Sequence, residues 1–153
     1  MFVLGERLMG PGVTVTQAHA AIAGAVAAME IVDSRIADWR IKLADTVADL
    51  ASNGAMATSS RVVPITDFDS RLVGMTLTRG GELVDTGAGA AALGDPVAVV
   101  AWLANVLGGD GVALEPGHLI MTGALHAAVP MTPGDVFRAE FDRLGPITVR
   151  VGD

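Results

Sequence analysis

Residues 71–86 read RLVGMTLTRGGELVDT, a sequence in which two alternating stretches flank Gly80-Gly81. Alternation of apolar and polar side chains is typical of β-strands, and a Gly-Gly pair between two such stretches is typical of a tight hairpin turn. A third stretch of β-type, RVVPI at residues 61–65, precedes them. From Arg61 onward the sequence therefore predicts mainly β-structure.

A single helix is predicted within this β-rich part. Asp95 is suited to cap its N-terminus, Pro96 to occupy its first position, and Gly108-Gly109 to end it. We predict a helix from Pro96 to about Leu107 that packs on the sheet through an apolar stripe. The predicted stripe consists of Val99, Trp102, Leu103 and Val106.

The part before residue 61 predicts two helices. Thr14 or Thr16 is suited to cap the first, over Gln17–Ala28, and Glu30 would lie at its end or just after it. The second would cover Lys42–Ala51. Its apolar side would carry Leu43, Val47 and Leu50, and a turn would follow at Asn53-Gly54.

The remaining strands are expected near residues 2–4, 118–122, 136–142 and 147–151. Strands thus outnumber helices and do not alternate with them regularly, which excludes a doubly wound α/β sheet. We predict one α+β domain over residues 1–153, with a mostly antiparallel, rolled sheet of about six or more strands.

Composition limits the functional classes. The net charge of −7 argues against a nucleic-acid partner. The absence of cysteine excludes disulfides and thiol catalysis and fits a reducing cytoplasm. No apolar run reaches the roughly 18 residues of a membrane span, so no membrane helix is predicted.

Glu30 stands out because it interrupts an apolar environment, between AIAGAVAAM at residues 21–29 and Ile31-Val32. A lone buried carboxylate is too costly, so it must be paired, bound to a metal or reached by water. The residues alone leave open an ion pair with Arg35 or Lys42.

Four ordered blocks carry a family resemblance. They are MEIVDSRIADW at 29–39, ADLASNG at 48–54, DTGAGAAALGDPVAVVAWLANVL at 85–107 and IMTGALHAAVPMTPGDVFRAEFDRLG at 120–145. Together they resemble the 2-keto-4-pentenoate hydratase / 4-oxalocrotonate decarboxylase family of the fumarylacetoacetate hydrolase superfamily. The resemblance implies an N-terminally truncated α+β fold, namely a mixed, mostly antiparallel β-roll with a few flanking helices.

The resemblance also implies a metal site for Mg²⁺ or Mn²⁺. Two of its ligands would be a Glu-x-Glu pair that should end just before Met1, and the third would be Glu30. Carboxylates suit Mg²⁺, but one carboxylate alone does not make a high-affinity site.

Substrate-binding residues are implied at two turns. Ser52 and Asn53 match a turn whose hydroxyls face the substrate carboxylate, although Asn53 departs from the family pattern. Thr122 and Gly123 match a Thr-Gly pair beside the substrate's oxygens. Two further candidates for a catalytic or supporting role are Lys42 and Asp49.

The function implied is hydration of 2-hydroxypenta-2,4-dienoate to 4-hydroxy-2-oxopentanoate in aromatic meta-cleavage catabolism. The alternatives are decarboxylation of 2-oxo-3-hexenedioate (4-oxalocrotonate) and a catalytically incomplete fragment without the first two metal ligands. The expected partners are a small anionic 2-oxo or 2-hydroxy dienoate and further copies of the chain in a homo-oligomer. Neither nucleic acid nor membrane is expected.

The three histidines show no metal-ligand spacing. His126, just after the Thr-Gly pair, is the one placed to reach the pocket. GAGAAALG at residues 87–94 lacks the strand–turn–helix context of a nucleotide-binding loop, so nucleotide binding is not predicted.

Overall fold

The computed structural model describes residues 1–152 as short strands with three α-helices. The strands are β1 (Phe2–Leu4), β2 (Ile22–Ala25), β3 (Ala28–Val32), β4 (Asn53–Thr58), β5 (Val63–Pro64), β6 (Gly74–Arg79), β7 (Glu82–Ala88), β8 (Leu119–Ile120), β9 (Val136–Phe141) and β10 (Gly145–Arg150). The helices are α1 (Val15–Ala21), α2 (Leu43–Ala48) and α3 (Pro96–Gly109). Short 3₁₀ turns lie at Ala37–Trp39, Leu50–Ser52, Ile65–Asp67 and Gly89–Ala91.

The strands form three sheets, in the orders β5-β2-β1-β8, β10-β9-β6-β7 and β3-β4. Every strand pairing within residues 1–152 is antiparallel. The α+β class and the antiparallel character are therefore confirmed. The strands divide among several sheets, whereas the sequence predicted one rolled sheet.

The hairpin predicted from residues 71–86 is present as β6 and β7. Gly80 and Gly81 both have positive φ, 60° and 92°, which is the backbone conformation of a type I′ turn. Arg79 and Glu82 are the last paired residues before the turn.

The first predicted helix is too long. Thr14 caps α1 through a capping box with Gln17, as expected, but the helix ends at Ala21. The next four residues form β2, which pairs with β1 and β5. A Cβ on Gly24 would lie 2.4 Å from the Val63 carbonyl oxygen, so the close approach of β5 requires glycine there. Tertiary pairing thus overrides the helical spacing of these small residues.

Helix α3 has the predicted start, since the Asp95 side chain accepts a hydrogen bond of 2.9 Å from the Val97 amide. Its buried face is not the predicted one. The buried residues are Pro96, Val97, Val100, Ala101 and Ala104, whereas Trp102 is 57% exposed and Val106 is also exposed. The helix packs mainly against α1. Small side chains at 101 and 104 permit that close approach.

By length and composition alone, residues 89–109 could cross a membrane, and they are the only such stretch in the described part of the chain. Helix α3 itself has 14 residues, which is about 21 Å of helix, shorter than a hydrocarbon core of about 30 Å. Its buried face belongs to the core together with α1, as in the core helix of a globular domain.

The turn predicted at Asn53-Gly54 occurs earlier. Leu50, Ala51 and Ser52 all have positive φ, and Asn53 already begins β4. Helix α2 does not bury the side predicted as apolar, because Leu43, Val47 and Leu50 are all exposed, Leu43 to 80%.

The amino group of Met1 gives a test of the packing around β1. Its ammonium donates to the Val26 carbonyl at 3.2 Å, and burial lowers its pKa from 8.0 to about 6. Below pH 6 the folded state must hold a buried charge, whereas above pH 8 neither state carries it. For a chain that begins at Met1, we therefore expect the free energy of unfolding to fall by about 2 kcal/mol between pH 8 and pH 6.

Urea unfolding at several pH values measures this dependence. The matched control is the same chain with an acetylated N-terminus, which cannot titrate at this position. Equal pH dependence in the two chains would show that the buried amino group of Met1 is not the cause of the change in stability.

Candidate active site

A cavity of about 1020 Å³ collects several of the residues predicted to bind metal and substrate. We call it the Glu30 cavity. Its walls come from β1, the β2–β3 segment, the inner face of β6, β9 and β10, and residues 121–131. Its polar lining comprises Glu30, Asp33, Ser70, Thr122 and His126, and most of the other residues are apolar. A smaller hollow of about 570 Å³ beside β6, β9 and β10 contains none of the predicted site residues.

Glu30 lies in the middle of β3, opposite Met56 of β4. The predicted position at a helix end is therefore wrong. Its side chain is exposed to the cavity, and Oε1 accepts a hydrogen bond of 2.8 Å from Asn53 Nδ2. Among residues 1–152 it has no ion-pair partner, so the alternative of a pair with Arg35 or Lys42 is not found.

Asn53 is placed to orient this carboxylate. It is the first residue of β4 and pairs with Val32 of β3, so the β3–β4 ladder fixes its position relative to Glu30. One carboxylate oxygen is held by the amide and the other is left for a different ligand. Asn53 itself does not line the cavity. The structure thus places it behind Glu30, whereas the sequence predicted contact with substrate.

Ser52 does not reach the cavity. Its side chain is 3% exposed, and its hydroxyl lies 3.1 Å from the Thr46 hydroxyl of α2. The cause is the left-handed backbone of Leu50–Ser52, which turns Ser52 toward α2. The expected convergence of Glu30, Ser52 and Thr122 is found for the first and last of these residues and not for Ser52.

Asp49 holds the loop after β3. Its carboxylate accepts hydrogen bonds from the Arg35 amide at 2.9 Å, the Arg35 guanidinium at 3.1 Å and the Ser34 hydroxyl at 3.3 Å. These bonds, the one from the Arg35 amide first, lower the pKa of Asp49. The side chain is only 8% exposed and lies outside the cavity. This placement is that of a supporting residue, which is the second of the two roles considered for Asp49.

Lys42 also lies outside the cavity. It is exposed before the first turn of α2, where its backbone amide donates to the Asp45 carboxylate at 2.9 Å. No contact in residues 1–152 links its amine to Glu30. The catalytic role considered for Lys42 is therefore not supported by its position.

Thr122 and Gly123 lie in the cavity wall, two and three residues after the end of β8. Gly123 has φ of 112°, a conformation that favours glycine and gives the chain a sharp change of direction. Both residues therefore line the Glu30 cavity, as the sequence predicted. A hydroxyl and a backbone amide at this point are suitable donors to a carboxylate.

The fit to a divalent metal is partial. No group of three His, Cys, Asp or Glu side chains in residues 1–152 is arranged to hold an ion. Glu30 nevertheless has the properties of one ligand, because it is an oxygen donor, reaches the cavity and lacks a neutralising cation. The described residues thus fit one position of a magnesium site.

Sequence reasoning missed much of the lining. Asp33 and Ser70 contribute polar groups, and five methionines, Met1, Met29, Met75, Met121 and Met131, contribute apolar ones. Asp33 lies in the same sequence block as Glu30, so the sequence could have indicated that it lines the cavity. The methionines could not have been recognised in this way, because in sequence they resemble ordinary core residues.

Comparison with known proteins shows that the sequence matches one family. Residues 2–152 match the family described as fumarylacetoacetate (FAA) hydrolase C-terminal. The TodF product hydratase of Pseudomonas putida is 45% identical over 147 residues, which are 96% of this chain and 55% of that protein. The 2-keto-4-pentenoate hydratase of Paraburkholderia xenovorans is 46% identical, covering 95% of this chain and 54% of the relative.

A solved structure is also similar. It is the 4-oxalocrotonate decarboxylase from Pseudomonas putida G7, complexed with magnesium and adipate. The TM-score is 0.94 at 37% identity, covering 98% of this chain and 57% of that one. The chain thus spans about half the length of the relatives that it matches.

Proposed function

Because the chain belongs to the fumarylacetoacetate hydrolase C-terminal family, we propose that it serves a metal-dependent hydro-lyase. The proposed reaction converts 2-hydroxypenta-2,4-dienoate into 4-hydroxy-2-oxopentanoate in aromatic catabolism. The observation that carries the proposal is that Glu30, Thr122 and Gly123 line one cavity although they are far apart in sequence. Because the chain spans about half of its relatives, the activity is proposed for a protein that also carries the Glu-x-Glu segment.

The mechanism assigns roles to the chain's own residues. Glu30 would hold Mg²⁺ or Mn²⁺ through the oxygen that Asn53 leaves free, while Asn53 keeps the carboxylate oriented. The ion, when bound, supplies a Lewis acid beside the substrate's C2 oxygen. Thr122 and Gly123 would donate hydrogen bonds to the C1 carboxylate. The apolar walls would pack against the hydrocarbon part of the dienoate.

The lining favours a substrate with one carboxylate. No lysine or arginine of residues 1–152 lines the Glu30 cavity. A dicarboxylate such as 2-oxo-3-hexenedioate would place its second charge against apolar residues without a cation, which is costly. The decarboxylase remains the second candidate because of the fold similarity to a solved 4-oxalocrotonate decarboxylase.

Two further parts of the proposal are the oligomeric state and the cellular location of the protein. The exposed apolar residues of α2 support a homo-oligomer, in which such surface becomes covered. The lack of cysteine supports a cytoplasmic location. The incomplete metal-ligand set supports the alternative that the chain by itself is a catalytically incomplete fragment.

Turnover of both substrates tests the proposal. We expect the 153-residue chain to be inactive, and a chain extended by the Glu-x-Glu segment to hydrate 2-hydroxypenta-2,4-dienoate with Mg²⁺. For the extended chain, kcat/KM for this substrate should exceed that for 2-oxo-3-hexenedioate by about 100-fold, the cost of an unpaired carboxylate. Preference for the dicarboxylate would favour decarboxylation, and inactivity on both would overturn the proposal.

A further inference from the structure

His126 is the one imidazole in the lining of the Glu30 cavity within residues 1–152. It lies three residues after Gly123, in the loop that follows β8, and its side chain is 22% exposed. His118, by contrast, is exposed outside the cavity, and its Nδ1 accepts from the Glu115 amide at 3.1 Å. The two histidines therefore have different surroundings on neighbouring parts of the chain.

Hydrogen bonding fixes the tautomer of His126. Nδ1 lies 2.6 Å from the carbonyl oxygen of Ala127. Because a carbonyl can only accept, Nδ1 must carry the hydrogen, and Nε2 of the neutral ring is left with its lone pair. Nε2 has no hydrogen-bond partner among residues 1–152. The ring thus presents a free proton acceptor.

A carboxylate stands beside the same ring. Asp85 Oδ2, on β7, lies 3.8 Å from His126 Nδ1, and Asp85 Oδ1 is held by the Thr86 amide at 2.7 Å. This negative charge lies where positive charge develops when Nε2 takes up a proton. The Ala127 carbonyl orients the ring and the Asp85 carboxylate lies close enough to offset its charge, an arrangement suited to a general acid–base group.

We propose that His126 is a catalytic residue that activates water in the hydration step, with the nearby Asp85 carboxylate offsetting the positive charge that the ring acquires. This proposal rests on the proposed function. Nε2 removes a proton from water as the oxygen forms a bond to C4 of the 2-oxo-3-enoate. The C3=C4 electron pair moves to C2–C3, and the carbonyl π pair moves to the C2 oxygen.

The second half of the step returns the proton. The imidazolium donates from Nε2 to C3, the C2 carbonyl re-forms, and His126 is neutral again. One group can serve both positions because C3 and C4 are bonded neighbours. Glu30 is less suited to this role, since Asn53 holds one of its oxygens.

The first test uses the extended chain with 2-oxopent-3-enoate, a substrate that enters directly at hydration. We expect His126→Gln and His126→Asn to lower kcat by about 100-fold or more, with KM changed by less than about threefold. The matched control His118→Gln should keep wild-type values. Two variants are used so that poor folding of one does not decide the result.

The second test needs neither metal nor turnover. Nitrogen NMR of the imidazoles in the 153-residue chain should show Nδ1–H for His126, and adding 2-oxopentanoate should shift its Nε2 signal. An Nε2–H tautomer, or wild-type kcat in both His126 variants of an active enzyme, would overturn the proposal and leave the proposed function intact. An inactive wild type would overturn both.

Discussion

A Glu30→Gln substitution in the extended chain is expected to lower kcat/KM for 2-hydroxypenta-2,4-dienoate by about 100- to 1000-fold. It should also weaken Mg²⁺ binding by at least about tenfold. A metal ligand that is lost removes both charge and geometry, and the electrophilic contribution of a bound ion is worth several kcal/mol of barrier.

The choice of glutamine isolates the negative charge. The Gln side chain has nearly the same volume as Glu and retains an oxygen that can accept the 2.8 Å hydrogen bond from Asn53 Nδ2. The β3–β4 pairing around residue 30 should therefore persist, and the melting temperature should change little. Lost activity would then report the missing carboxylate.

Calorimetric titration with Mg²⁺, and separately with Mn²⁺, measures binding without turnover. The matched control is Glu82→Gln, because Glu82 is an exposed carboxylate at the β6–β7 turn, outside the cavity. Wild-type metal affinity in Glu30→Gln would remove Glu30 from the metal site. Loss of affinity in Glu82→Gln as well would indicate an unspecific effect of net charge.

The sequence correctly predicted the elements whose conformation is decided by a few neighbouring residues. The hairpin follows from Gly80-Gly81, whose positive φ values are accessible to glycine, and the start of α3 follows from Asp95-Pro96. In each case the deciding interaction lies within a few residues. Such features can be predicted without knowledge of the rest of the chain.

Features decided by distant partners were not predicted. Helix α3 is apolar on almost every side, so periodicity could not tell the face that packs on α1 from the exposed face with Trp102. Residues 22–25 have helical spacing and form β2 because β1 and β5 flank them. Ser52 turns away from the cavity because of three consecutive left-handed residues, none of which is glycine.

The candidate site also contains residues that could be predicted from the sequence and contacts that could not. Glu30, Thr122 and Gly123 were found through family motifs, and the structure places them in one cavity. The support of Glu30 by Asn53 depends on the register of β3 and β4, which the sequence does not state. The Asp85–His126 contact joins β7 to a loop more than forty residues away, about which spacing says nothing.

A Gly108→Ala substitution is expected to lower the free energy of unfolding by about 3 kcal/mol, whereas Gly109→Ala should leave it unchanged or raise it slightly. Both glycines lie in the last turn of α3. A Cβ on Gly108 would lie 2.5 Å from the backbone nitrogen and oxygen of Gly10. A Cβ on Gly109 would meet no atom within 4 Å.

The clash cannot be relieved cheaply, because it involves backbone that α3 itself holds in place. The Gly10 amide donates to the Ala104 carbonyl at 3.1 Å, and Asn105 makes two hydrogen bonds to the Val13 backbone, of 2.8 and 2.9 Å. Moving the 10–13 loop would break these bonds, since they join it to the same helix.

Thermal unfolding of the two variants compares them directly. Both substitutions bring the same gain in helix propensity, so the difference between them reports packing alone. We expect Gly108→Ala to melt about 6 to 12 °C below Gly109→Ala, as 3 kcal/mol implies for a domain of this size. Melting temperatures within about 1 °C of each other would show that the loop at Gly10 yields without cost, and would refute the close packing of that loop on α3.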